Sequence, residues 1–87
     1  MKSKLTIDER GTKMWRLPNG SFHREDGPAI EDTQGYKAWW INGELHREDG
    51  PAVEHIDGYR GWYINGKEYT EQEYKYKTRS RKLKKLL

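Results

Sequence analysis

The chain has 87 residues, 36% of them charged and 32% hydrophobic, and no cysteine. At this length it forms one domain at most and buries a modest apolar surface, which excludes a large enclosed active site. The formal net charge is +3, so the positive and negative residues nearly balance over the whole chain. The lack of cysteine excludes disulfides, thiolate metal sites and a cysteine nucleophile.

The first strands are predicted near the amino end. Residues 5–7 alternate apolar and polar side chains, as a half-buried strand does, and residues 14–17 follow as the partner strand. Pro18 has no amide proton to donate to a neighbouring strand. We therefore expect a bulge or a sheet edge at this point.

Three Asn-Gly pairs, Asn19-Gly20, Asn42-Gly43 and Asn65-Gly66, follow one another at intervals of 23 residues. A two-residue type I′ turn requires positive φ at both central residues, which Asn tolerates and Gly adopts freely. The pairs therefore predict three β-hairpins. Residues 21–23 and 44–46 are the predicted returning strands of the first two hairpins.

The sequence His-Arg-Glu-Asp-Gly-Pro-Ala at residues 23–29, here called the first block, recurs unchanged at residues 46–52, the second block. With the Asn-Gly pairs, the blocks define a 23-residue repeat. Each block predicts a bend in which Asp accepts backbone amide protons, Gly adopts a conformation closed to other residues, and Pro fixes φ. We interpret the charged side chains along this edge as a ladder of structural hydrogen bonds.

Two aromatic runs keep the same interval, with Trp-Trp-Ile at residues 39–41 and Trp-Tyr-Ile at residues 62–64. Alternate side chains of a strand lie on opposite faces, so Trp40 and Tyr63 share one face of the predicted sheet. In a single-layer sheet this face is partly exposed. Core packing is the alternative for both faces, since an aromatic core is what this composition favours.

A helix is predicted after the last hairpin. Thr70 followed three residues later by Glu73 is a reciprocal capping box, which places the helix start at Glu71. Tyr76, Leu83 and Leu87 lie on one helical face and predict docking of the helix over the last repeat as a cap.

The helix region also concentrates positive charge. All acidic residues lie at or before Glu73, so the chain up to residue 74 carries about −4 and residues 75–87 carry +7. The basic residues of this segment are Lys75, Lys77, Arg79, Arg81, Lys82, Lys84 and Lys85. This charge predicts an anionic partner, such as nucleic acid with Tyr74 and Tyr76 beside the basic side chains. A solvated cap helix or a frayed terminus is the alternative.

Together these elements predict a mainly β fold: an elongated, single-layer antiparallel β-hairpin meander of 23-residue repeats with a C-terminal capping α-helix. The repeat domain covers residues 1–69, with a partial unit at about 5–22 and units at about 23–45 and 46–69. Residues 70–87 form the basic C-terminal helix or tail.

Histidines and carboxylates within the blocks raise the question of chemistry. His-Arg-Glu-Asp is similar to a protein-kinase catalytic loop, but this chain lacks the nucleotide loop and the length of that fold. One histidine per repeat, as in His23 and His46, indicates equivalent hydrogen bonds rather than converging metal ligands. The adjacent carboxylates of Glu25 and Asp26 lie beside an arginine and do not favour general acid–base catalysis. We expect no enzymatic activity, cofactor or metal.

The Asn-Gly hairpins after Trp-Trp-Ile or Trp-Tyr-Ile resemble MORN and MORN-like repeats over residues 5 to about 74. The His-Arg-Glu-Asp-Gly-Pro-Ala block and the ending at residues 65–74 resemble small bacteriophage proteins of this type. The resemblance implies a β-hairpin scaffold that binds proteins. The blocks and the basic tail depart from ordinary MORN units, so the lipid association of some MORN arrays is not carried over.

Two functions follow as hypotheses. The first is a non-enzymatic protein-interaction module, a phage accessory protein that binds and modulates a host protein, such as one of host defence. Its contact residues would be Trp40, Tyr63, Arg24 and Arg47. The second is nucleic-acid binding through the basic helix. The longest apolar run is residues 38–41 and the chain begins Met-Lys-Ser-Lys, so we expect no transmembrane segment, no signal peptide and a cytoplasmic location.

Overall fold

The structure is a computed structural model that describes the backbone of residues 2–86 and the side chains of residues 2–79. It contains short strands followed by one helix. The elements are β1 (Lys4–Ile7), β2 (Lys13–Arg16), β3 (Ile30–Glu31), β4 (Lys37–Ala38), β5 (Trp40–Ile41), β6 (Glu44–Leu45), β7 (Val53–Glu54), β8 (Arg60–Ile64), β9 (Lys67–Tyr69) and α1 (Glu71–Leu86). A mainly antiparallel β fold with a C-terminal helix, as predicted, is confirmed.

Seven strands form one sheet in the order β1-β2-β3-β4-β7-β8-β9, and β5 pairs with β6 as a separate hairpin. Every strand pair is antiparallel and the order follows the chain. The described residues extend over 44 × 33 × 19 Å with a radius of gyration of 13.8 Å, against about 12 Å for a compact domain of this length. The fold is therefore somewhat extended.

The most buried residues are small. Ala29, Ala38 and Ala52 are completely buried, whereas all four tryptophans are only half-buried. Ala29 donates its amide proton to the Ala38 carbonyl at 2.8 Å, and Ala52 donates to that of Gly61 at 2.7 Å. The expected aromatic core was therefore wrong in one respect: alanines occupy the most buried positions, and the tryptophans are half-buried.

Two of the three Asn-Gly turns have the predicted type I′ geometry. Asn42 and Asn65 have φ of 50° and the glycines after them have φ of 80°. The prediction was wrong for the first pair, where Gly20 has φ of 91° but Asn19 is not in the positive-φ region. The extra residue Pro18 widens this turn to three residues, closed by the Gly20 amide donating to the Leu17 carbonyl at 2.8 Å.

The start of α1 is set by local hydrogen bonds. The Thr70 amide donates to Oε1 of Glu73 at 2.9 Å, and the Glu73 amide donates to Oγ1 of Thr70 at 3.2 Å. The hydrogen bond from the Thr70 backbone also lowers the pKa of the Glu73 carboxyl. The capping box and the helix start at Glu71 are therefore confirmed.

Candidate binding surfaces

The arginine of the first block is bound within its own loop. The Arg24 guanidinium lies 3.9 Å from the centroid of the Trp15 ring. Its Nε donates to Oδ1 of Asp26 at 2.9 Å, and one terminal nitrogen donates to the Pro28 carbonyl at 3.2 Å. The hydrogen bond from Arg24 lowers the pKa of the Asp26 carboxyl. Arg24 thus holds the loop against the sheet.

The arginine of the second block makes the same contacts. Arg47 lies 3.8 Å from the centroid of Trp39, and it donates to Asp49 Oδ1 and to the Pro51 carbonyl at 3.0 Å each. It also donates to Oε2 of Glu54 at 3.0 Å. The two block arginines, which the sequence suggested as partner contacts, are therefore bound mainly to this chain.

The block glycines are required by close packing. A Cβ atom at Gly27 would lie 2.9 Å from Cζ of Arg24, and one at Gly50 would lie 2.9 Å from Cζ of Arg47. Neither glycine has positive φ. The predicted reason for these glycines was therefore wrong. A Cβ atom at either position would displace the guanidinium from its present place. The aspartates also bind arginine side chains rather than the predicted backbone amides.

The block histidines connect each block to the next Asn-Gly turn. Nδ1 of His23 accepts the amide proton of Asn42, and Nδ1 of His46 accepts that of Asn65, both at 2.9 Å. In this arrangement the neutral imidazole carries its proton on Nε2, which in His46 lies 3.1 Å from Oε2 of Glu48. Both histidine side chains therefore accept a hydrogen bond from a backbone amide.

The third histidine lies elsewhere, between two tyrosine rings. Its ring centroid is 4.8 Å from that of Tyr36 and 5.4 Å from that of Tyr59, so that His55 belongs to an aromatic cluster. Within the described residues, no group of three or more possible ligand side chains is placed to hold a metal ion.

A cleft of about 590 Å³ separates the first and second blocks and is here called the block cleft. Its lining includes the carboxylates Glu25, Asp26, Glu48 and Asp49 and the apolar side chains Trp39 and Ile41. The Asp26 and Asp49 side chains are 86% and 79% exposed, against 25% and 21% for Arg24 and Arg47. The lining also contains Arg24, Arg47 and His46, and the two arginines are ion-paired with the exposed aspartates. Four carboxylates against two guanidinium groups leave the cleft with a negative formal charge.

The aromatic residues suggested as partner contacts are half-buried. Trp40 packs against Phe22 with ring centroids 5.5 Å apart, and its buried Nε1 has no hydrogen-bond partner among the described residues. Burial, with a smaller effect of the Glu68 carboxylate, raises the pKa of the Tyr63 hydroxyl. Trp40 and Tyr63 are half-buried, whereas Ile64 on the other face is 3% exposed.

Helix α1 docks through Tyr74, a residue to which the sequence analysis had given no docking role. Tyr74 is 3% exposed, and its ring centroid lies 5.0 Å from that of Trp62. Its hydroxyl donates to the Arg47 carbonyl and accepts the Gly50 amide proton at 3.2 Å. The sequence contained a signal for this role. The third repeat has no His-Arg-Glu-Asp block, so no block arginine is present to cover Trp62.

The predicted docking role of Tyr76 was wrong, because its side chain is 80% exposed. Leu83 and Leu87, which share that face by helical spacing, lie outside the described side chains. Lys75, Lys77 and Arg79 are exposed on the described part of the helix.

Both lysines have a local partner. Nζ of Lys75 lies 3.3 Å from Oε2 of Glu71, and Nζ of Lys77 lies 5.5 Å from the centroid of the Tyr69 ring. The remaining predicted basic residues, Arg81, Lys82, Lys84 and Lys85, also lie outside the described side chains.

In the described residues, the chain is a small, mainly antiparallel β protein with a C-terminal helix and a cleft between the two blocks. No protein-family model, curated protein or solved structure matches the chain. Among the described residues, no helix has both the length and the apolar character needed to cross a bilayer.

Proposed function

We propose that the chain is a non-enzymatic protein-interaction module built from 23-residue MORN-like repeats. In this proposal it is a phage accessory protein that binds and modulates a host protein in the host cytoplasm. Contacts that recur at equivalent positions support the repeat scaffold. Arg24 and Arg47 each donate to the aspartate of their own block. His23 and His46 each accept the amide proton of the next Asn-Gly turn.

The single observation that carries the proposal is the block cleft, which is concave and has fixed walls. Each wall is a loop held by an arginine that stacks on tryptophan and bonds to its own aspartate and proline carbonyl. Such preorganised loops lose little conformational entropy on binding. A cleft of this kind favours a protein segment as its ligand, because it is open and has polar walls.

The charge of the cleft defines the chemistry of the partner. Each block arginine is paired with the aspartate of its own block, and the carboxylates of Asp26 and Asp49 remain exposed. Glu25 is exposed as well and adds negative charge to the cleft. A partner segment with lysine or arginine side chains would therefore be complementary, and its aliphatic stems would pack on Trp39 and Ile41. In this proposal the half-buried Trp40 and Tyr63 support the sheet.

Affinity capture from host lysate with the intact protein tests the proposal. Glu25 lies at the cleft and is exposed, so Glu25→Lys reverses one wall charge. Glu9→Lys makes the same change on an exposed residue at the β1–β2 turn. We expect one captured host protein to be lost with Glu25→Lys and retained with Glu9→Lys. Equal capture by all three proteins, or no specific capture, would contradict the proposal.

A further inference from the structure

A second candidate binding surface, separate from the block cleft, lies on α1 after the docking residue Tyr74. Tyr74 is buried against Trp62, and Thr78, one turn later, is half-buried. Because residues four apart share a helical face, these two side chains orient the helix. The ring of Tyr76 is consequently directed away from the sheet and is 80% exposed.

Exposed cations surround this tyrosine. Lys75 and Lys77 flank it in sequence and Arg79 follows one turn later, all exposed. The helix backbone continues to Leu86, and its remaining sequence adds four basic residues and no acid. Among the described cations of the helix, Lys75 is paired with Glu71, whereas Lys77 and Arg79 have no acidic partner. An exposed aromatic ring beside such cations matches the pairing of base stacking with phosphate contacts in single-strand binding.

We propose that α1 binds single-stranded nucleic acid, with a base stacked on Tyr76 and phosphates bound by the basic side chains. The exposed ring favours a single strand, because paired bases in a duplex hide their faces from an aromatic side chain. The observation that supports this class of ligand is the joint exposure of Tyr76 and its neighbouring cations.

Acidic residues limit where the strand can lie. The docked Tyr74 hydroxyl contacts the second block, whose Asp49 carboxylate contributes to the raised pKa of Tyr74 after the larger effect of burial. Glu71 and Glu73 occupy the first turn of α1. Phosphates are repelled from this end, so the nucleic-acid strand is bound beside Tyr76, Lys77 and Arg79.

Fluorescence anisotropy with a short labelled single-stranded oligonucleotide tests the proposal at about 150 mM salt. Phosphate contacts alone give a dissociation constant of roughly 10⁻⁴ to 10⁻⁶ M. We expect Tyr76→Ala to weaken binding roughly 5- to 150-fold, because base stacking on an aromatic side chain is worth about 1–3 kcal/mol. Tyr59→Ala, at an exposed tyrosine between β7 and β8, should leave binding unchanged.

Three further measurements complete the test. Thermal melting should show that Tyr76→Ala folds normally, as expected for an exposed side chain. Lys77→Gln with Arg79→Gln should weaken binding and reduce its salt dependence by about two phosphate contacts. Host-protein capture should be unaffected by Tyr76→Ala, so that this proposal and the protein-interaction proposal fail separately.

Two outcomes would overturn the inference. One is equal binding of single strands and duplex with no effect of Tyr76→Ala, which indicates phosphate attraction without stacking. The other is binding to vesicles of anionic lipid, lost with Tyr76→Ala, while single strands do not bind.

Discussion

Three tryptophans of the sheet are covered in two different ways. Trp15 and Trp39 are covered by the block arginines at 3.9 and 3.8 Å from the ring centroids. Trp62, at the carboxyl end of the sheet, packs against Tyr74 of the helix instead. Arginine and tyrosine thus perform the same packing role, but their polar atoms have different partners.

The difference separates the two surfaces of the protein. Each arginine neutralises one aspartate of its own block and leaves further carboxylates along the block cleft. Tyr74 is neutral, and its hydroxyl connects the helix to the preceding block. Helix α1 therefore docks on the sheet through Tyr74, and the sequence after Tyr74 is basic.

The largest expected effect comes from removing the helix contact. Tyr74→Ala should destabilise the protein by about 3 kcal/mol or more, since the variant loses a buried aromatic ring and leaves the Gly50 amide unpaired. Urea unfolding followed by tryptophan fluorescence measures this. Tyr76→Ala is the matched control and should change stability by less than about 0.5 kcal/mol. Similar effects of the two variants would contradict the assigned docking role.

Next in size is the arginine contact. Arg47→Lys should cost about 2 kcal/mol and Arg24→Lys about 1 kcal/mol, because lysine cannot keep both the stack and the forked hydrogen bonds. The order follows from Glu54, a further partner of Arg47. Chemical denaturation of both variants gives the comparison, and an equal or reversed order would show that Glu54 contributes nothing.

A smaller effect is expected for the histidine bonds. His23→Ala should cost about 1 kcal/mol, because the Asn42 amide then lacks an acceptor. His23→Asn should restore much of this loss, since its Oδ1 occupies nearly the position of Nδ1. Melting curves of the two variants decide the matter. If asparagine is no better than alanine, the ring itself, rather than its acceptor atom, is what this buried site requires.

The smallest effect is a pH dependence. Burial raises the pKa of Tyr74 in the folded state, so its contribution is present below the unfolded value of about 10 and is lost as pH rises through the folded value. Tyr74→Phe should therefore flatten the decline of stability at alkaline pH, measured as the urea midpoint against pH. Tyr36 and Tyr63, whose pKa values are also raised by burial, leave a residual decline. An unchanged profile would contradict this.

Local signals in the sequence predicted the fold well. Asn42-Gly43 and Thr70 with Glu73 act within a few residues, so their turn and capping geometry follows from the sequence. Contacts between distant segments were missed. The fit of Gly27 under Arg24, and the placement of Tyr74 on Trp62, depend on the way loop and helix return to the sheet. Pro18 shows that one inserted residue changes a turn that its Asn-Gly pair alone would predict.

The central claim is that the block arginines are bound inside the protein while the carboxylates face a cationic partner. Nuclear magnetic resonance titration of the labelled protein with a lysine- and arginine-bearing peptide, at about 150 mM salt, tests it most directly. The account predicts that the largest shift changes occur at residues 24–27 and 46–49 and at the Trp39 indole, and that Glu25→Lys greatly reduces them. Changes absent from these residues, or identical in Glu25→Lys, would contradict it.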